Sequence, residues 1–164
     1  MMSDSISDIL RIVREEINLY RDLVEHTRRK TALLAKGCVE AIHESNKIEE
    51  TFNAKLRILE NEMARLCTDL SQAFRIPREE FTLMKLADSL ELSIAQEIRS
   101  QAALFKNLVD QLKSVVQRNV RLIERSICYS RGLLDLLSNA TGSYQPTGLF
   151  KSVPSVRPTF SQRA

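Results

Sequence analysis

A chain of 164 residues is long enough for one domain with a real core. Four glycines, four prolines and no tryptophan, beside abundant Leu, Ile, Glu, Arg and Ala, argue against a sheet protein and for an all-α one built from long helices. All the acidic residues and all but three of the 24 Lys and Arg lie in residues 1–139, so the body is neutral and the net charge of +3 comes from Lys151, Arg157 and Arg163. Three cations spread along an acid-free tail give only weak, salt-sensitive attraction, which argues against general nucleic-acid binding.

The odd cysteine count, Cys38, Cys67 and Cys128, fits reduced thiols in a cytosolic protein better than a disulfide framework. No apolar run approaches the roughly 20 residues of a membrane span, and the Met-Met-Ser-Asp-Ser start lacks a basic region followed by an apolar stretch. A cytoplasmic location is expected.

The first helix is predicted over about residues 5 to 36. Ile6, Leu10, Val13, Ile17, Tyr20, Val24, Thr27, Thr31 and Leu34 recur in steps of four and three, which places them on one face. Ser3, Asp4 and Ser5 are candidate N-caps, and Lys36-Gly37 supplies a cation for the last turn followed by the residue best suited to a left-handed helix end. A second stripe runs through Val39, Ile42, Asn46, Phe52, Leu56, Leu59, Met63, Leu66, Leu70 and Phe74, with Glu49 interrupting it, up to a stop at Pro77. The short connection around Gly37 suits an antiparallel hairpin, with a single bent helix as the alternative.

Arg75-Ile76-Pro77-Arg78 reads as a break, and Thr82 can cap a short helix carrying Leu83, Leu86, Ala87 and Leu90 that lids one end. The last long helix carries Ile94, Ile98, Ala102, Phe105, Val109, Leu112, Val116, Asn119, Ile123, Ser126, Ser130, Leu133 and Leu137, beside a parallel row of Leu108, Val115, Leu122, Tyr129 and Leu136. Two apolar rows require two neighbours, so the expected fold is an antiparallel bundle of three long helices plus one short helix. Acidic residues dominate helix two and basic residues the last helix, which either pair or stand as solvated faces. Beyond Asn139 the Ser, Thr, Gly and Pro content marks residues 140–164 as a flexible basic tail, after a helical domain of residues 1–139.

No constellation for catalysis emerges, and neither cofactor nor metal is expected. Glu40 and His43 have the spacing of a di-iron ligand pair without the second copy such a site needs. Cys38 and His43 are five residues apart and diverge around a helix, and both histidines read as surface residues. The adjacent carboxylates Glu15-Glu16, Glu49-Glu50 and Glu79-Glu80 point about 100° apart and read as solvated charges. The cluster His26-Thr27-Arg28-Arg29-Lys30 could take a phosphate, but its place near a helix C-terminus favours a dipole role. Asn46 and Asn119, polar residues in apolar seams, read first as register-setting.

The order of features then carries a resemblance. Ala32-Leu33-Leu34-Ala35-Lys36-Gly37, Thr82-Leu83-x-x-Leu86-Ala87, Asn119-x-x-Leu122-Ile123-Glu124-x-Ser126-Ile127-x-Tyr129 and Tyr144-x-x-x-Gly148 together resemble the FlgN family of flagellar export chaperones. The resemblance implies a cytosolic chaperone of the flagellar type III export system that binds hook-associated, hook-filament junction proteins and hands them to the cytoplasmic domain of the export gate protein. It places the substrate on the end of the last helix and the tail, here Asn119, Leu122, Ile123, Ser126, Tyr129, Leu133, Leu136, Leu137, Leu149 and Phe150. It places gate docking at Tyr144 with Gly148. Cys38 stands where the family commonly has Asp, which implies a weaker cap on helix two.

Independently of the resemblance, Tyr144, Leu149, Phe150, Val153, Val156 and Phe160 are apolar groups in a segment unable to bury them alone, which suits folding upon a partner rather than an inert terminus. The other class left open is a structural coiled-coil protein that associates with copies of itself.

Overall fold

The computed structural model describes the backbone of residues 2–141 and the side chains of residues 5–138. Four helices follow in order: α1 (Met2–Lys36), α2 (Val39–Ala73), α3 (Leu83–Asp88) and α4 (Leu92–Thr141). The tail expectation falls, from residue 142 on, outside the described residues.

The α1–α2 connection is a hairpin turn. Gly37 takes φ +66°, the Gly37 amide donates to the Leu34 carbonyl and the Cys38 amide to the Leu33 carbonyl, the two reverse bonds of a Schellman end. Across the hairpin Arg11 meets Glu62 at 3.6 Å and Lys30 meets Glu49 at 2.6 Å, so early residues of α1 face late residues of α2 and the helices are antiparallel. Between α1 and α4 the pairings are Tyr20 with Phe105, edge to face at 4.9 Å, and Thr31 with Asn119, so these two run parallel in an up-down-up arrangement.

The same reverse turn ends α2 without a glycine. Arg75 sits at φ +56°, with its amide donating to the Gln72 carbonyl and the Ile76 amide to the Ser71 carbonyl. The helix therefore ends at Ala73, four residues before the proline expected to stop it. Thr82 caps α3 as expected, its Oγ1 accepting from the Lys85 amide at 3.2 Å.

The apolar core gathers Ile9, Val13 and Ile17 of α1, Leu70 of α2, Phe81, Leu86 and Ala87 around α3, and Ala95, Ile98 and Leu108 of α4. Burying the larger of these side chains contributes about 1.5–3 kcal/mol each, and α3 lids this core with Leu86 and Ala87. Toward the hairpin the interior turns polar, with Thr27, Ser45 and Asn119 all buried.

Several sequence expectations are corrected here. Asn46 is exposed and Ser45 is buried in its place, because the α2 seam slips by one residue on the N-terminal side of Glu49. His26 is not a surface residue: half-buried, its Nε2 lies 2.9 Å from the Ser45 hydroxyl and its ring packs 6.0 Å from that of Phe52. Among the described residues no ion pair joins α2 to α4; Arg14–Glu97 ties α1 to α4, and Arg99–Asp88 at 2.7 Å joins α4 to the end of α3.

Compact packing divides the described residues into two units, the first ending at Leu122 and the second beginning at Ile123.

Candidate functional site

The sequence of α4 repeats apolar residues along its whole length, yet their burial changes at the unit boundary. In the first unit Ala95, Ile98 and Leu108 are buried. In the second, every residue from Ile123 to Ser138 is exposed, including Ile127 at 47%, Tyr129 at 69%, Leu134 at 61% and Leu136 at 68%. At about 100° per residue, Ile123, Ile127, Leu133, Leu134 and Leu137 fall on one face, with Tyr129 and Leu136 further around the helix beyond Leu133. Arg125, Gly132 and Asp135 lie away from it. Monomeric proteins seldom leave so many large apolar side chains exposed together, and exposed apolar patches are common where proteins bind partners, which makes this surface the candidate site.

Of the α4 residues predicted to hold a partner, Ile123, Ser126, Tyr129, Leu133, Leu136 and Leu137 are exposed, and Leu122, in the first unit, is half-buried. Asn119 is different. It is 6% exposed, its Nδ2 donates to the Thr27 carbonyl and its Oδ1 accepts from the Thr31 hydroxyl. Its amide joins α4 to α1, the register role that the sequence also offers. Val116, Val120, Ile127 and Leu134 are further exposed apolar residues of α4 outside the predicted set, although Ile127 lies within the motif that carries the resemblance. Leu149, Phe150, Tyr144 and Gly148 lie outside the described residues.

The other candidate constellations dissolve into structural contacts. In the basic cluster Lys30 pairs with Glu49, Arg29 with Glu25, and Arg28 donates to Gln111 Oε1 at 2.8 Å, while Thr27 is buried. Glu40 and His43 are exposed, and no group of three or more candidate ligands among the described residues could hold a metal. Glu16 and Glu49 are half-buried rather than solvated. Burial pushes the Glu16 carboxyl above its ordinary range, with the Glu60 charge adding to the effect.

The family model of the FlgN protein matches residues 1–151. The chain belongs to the FlgN family. That is a family of flagellar export chaperones rather than of enzymes. No curated protein and no solved structure matches the chain. The FlgN match extends past α4 through Tyr144, Gly148, Leu149 and Phe150. Among the described residues no helix is long and apolar enough to cross a membrane, and the three cysteines are free. Burial raises the pKa of the Cys67 thiol, an effect that outweighs the lowering by nearby Arg78.

Proposed function

We propose that this FlgN-family chain is a cytoplasmic chaperone that binds hook-filament junction proteins, prevents their premature assembly and delivers them to the cytoplasmic domain of the export gate protein. The observation that supports this reading best is the exposed apolar face of α4 from Ile123 to Leu137, about 21 Å long at 1.5 Å per residue. An amphipathic helix of a junction protein can lay its apolar side on this face, as helices do in hydrophobic grooves. Tyr129 and Leu136 serve as anchors, and Leu133, Leu137, Ile123 and Ser126 as the surface around them. Leu149 and Phe150 follow in the sequence and add apolar contacts to a partner seated there, and Tyr144 with Gly148 serves the separate task of gate docking.

Binding of a purified junction protein to the full chain tests this reading. Tyr129→Ser and Leu136→Ser should each weaken capture about thirtyfold, the loss of a hot-spot side chain worth about 2 kcal/mol, with helicity unchanged. Deleting residues 142–164 should abolish capture, and Tyr144→Ala should spare it while weakening gate binding measured by calorimetry. A chain that captures no junction protein, or captures it equally well with both α4 anchors removed, overturns the proposal in favour of a purely structural role.

A further inference from the structure

The exposed part of α4 carries a heptad whose charges suit a second copy of itself. Ile123, Ile127, Ser130 and Leu134 are spaced by four, three and four residues, which is a coiled-coil seam. All four are exposed. The positions that follow the seam residues Ile123 and Ser130 are Glu124 and Arg131, opposite in sign and seven residues apart, too far along one helix to meet each other. Both are exposed, and neither forms an ion pair among the described residues.

We propose that two copies of the chain associate weakly through antiparallel pairing of this segment of α4. Aligned so that Ile127 of each copy faces Ser130 of the other, the seam forms four layers, two of Ile123 on Leu134 and two of Ile127 on Ser130. In that register Glu124 of each copy lies beside Arg131 of the other, giving two identical ion pairs related by the dyad, as a two-fold interface requires. On the opposite flank Leu133 meets Ser126.

Parallel pairing lacks these features. It sets Ser130 against Ser130 in the seam and brings Ser126 rather than Glu124 next to Arg131. The antiparallel seam covers one row of the helix and leaves Tyr129 and Leu136 outside it, more than about 100° further around the helix. Four layers bury less than a standard protein–protein interface does. The dimer is therefore concentration-dependent and easily displaced. The self-pairing stands on the heptad and its charges and does not depend on the chaperone reading.

Sedimentation of the full chain over a range of concentrations at low ionic strength tests it. The parent should show a reversible monomer–dimer equilibrium. Glu124→Arg and Arg131→Glu should each raise the dissociation constant about tenfold, since two attractive pairs become two repulsive ones. The double variant E124R/R131E should return it to within about threefold of the parent, because the swapped charges pair again only across an antiparallel interface. A parent that stays monomeric throughout, or a double variant as weak as the single ones, overturns the proposal. The two readings fail separately: a monomer that captures a junction protein sinks only the self-pairing, and a dimer that captures none sinks only the chaperone assignment.

Discussion

Asn119 donates its side-chain amide to the main-chain carbonyl of Thr27 at 3.2 Å, across the junction between α4 and α1. The same side chain accepts from the Thr31 hydroxyl at 2.7 Å, so a buried polar group is satisfied on both of its atoms. Removing one member of such a pair strands the other, whereas an apolar replacement of similar volume leaves a better-filled site. Asn119→Ala should cost about 2 kcal/mol in urea unfolding, and Asn119→Leu should fall within about 1 kcal/mol of the parent. Thr31 keeps an alternative acceptor in the Thr27 carbonyl at 3.3 Å in both variants, so the difference between them comes from the volume that leucine fills and alanine leaves empty. An alanine variant as stable as the parent would show that the amide sets no register.

Two helix ends share one backbone motif but differ in the residue that carries its left-handed position. Gly37 adopts φ +66° without strain, and a Cβ there meets nothing within 4 Å, so substitution costs only conformational energy. Arg75 already bears that cost at φ +56°. A left-handed L-residue costs roughly 1–2 kcal/mol, so Arg75→Gly should stabilise the fold by about 1 kcal/mol and Gly37→Ala should destabilise it by a similar amount. Thermal unfolding followed by circular dichroism reads both, and shifts of the same sign would contradict the shared geometry.

These ends also bear on what the sequence can reveal. Gly37 and Thr82 are legible because their residue types announce a turn and a cap, and the steps of three and four locate the helices to within a few residues. Arg75 is not legible, since nothing in an arginine marks a left-handed conformation, and Pro77 draws attention past the true end. Ser45 and Asn46 are both small and polar, so pattern alone does not decide which faces inward; packing against His26 decides it. The largest gap concerns α4. Periodicity shows that Ile123, Ile127 and Leu134 share a face, but it is blind to whether another helix covers that face. Only the burial in three dimensions separates the core half of α4 from the exposed one.

Cys38 precedes α2 with φ −77° and ψ 85°, and its side chain makes no capping hydrogen bond. The first amides of α2 therefore lack the acceptor that Asp or Ser would provide. Cys38→Asp should raise stability by about 1 kcal/mol, because it supplies both an acceptor and a negative charge at the helix N-terminus. Cys38→Ala should leave stability unchanged within about 0.3 kcal/mol, since no bond is lost. Guanidinium unfolding midpoints for the two variants separate a capping effect from a mere loss of the thiol, and an aspartate variant no more stable than the alanine one would refute the capping argument.

Glu16 makes stability depend on pH in a direction opposite to that of a salt-bridged carboxylate. Burial raises its pKa in the folded chain, and the neighbouring Glu60 charge raises it further. Between the ordinary carboxylate range and the raised value, the folded state holds a proton that the unfolded state has released. The favourable contribution is thus fully present below the unfolded pKa and is lost as pH rises through the folded one. Glu16→Gln removes the buried charge while keeping the shape, so it should stabilise the chain at pH 7 and have little effect near pH 3. The difference in unfolding free energy between parent and variant should accordingly grow with pH across the acid range and then level off. A difference independent of pH would assign the effect to packing rather than to the carboxyl, and destabilisation at pH 7 would mean that the charged form is held by a partner the burial argument omits.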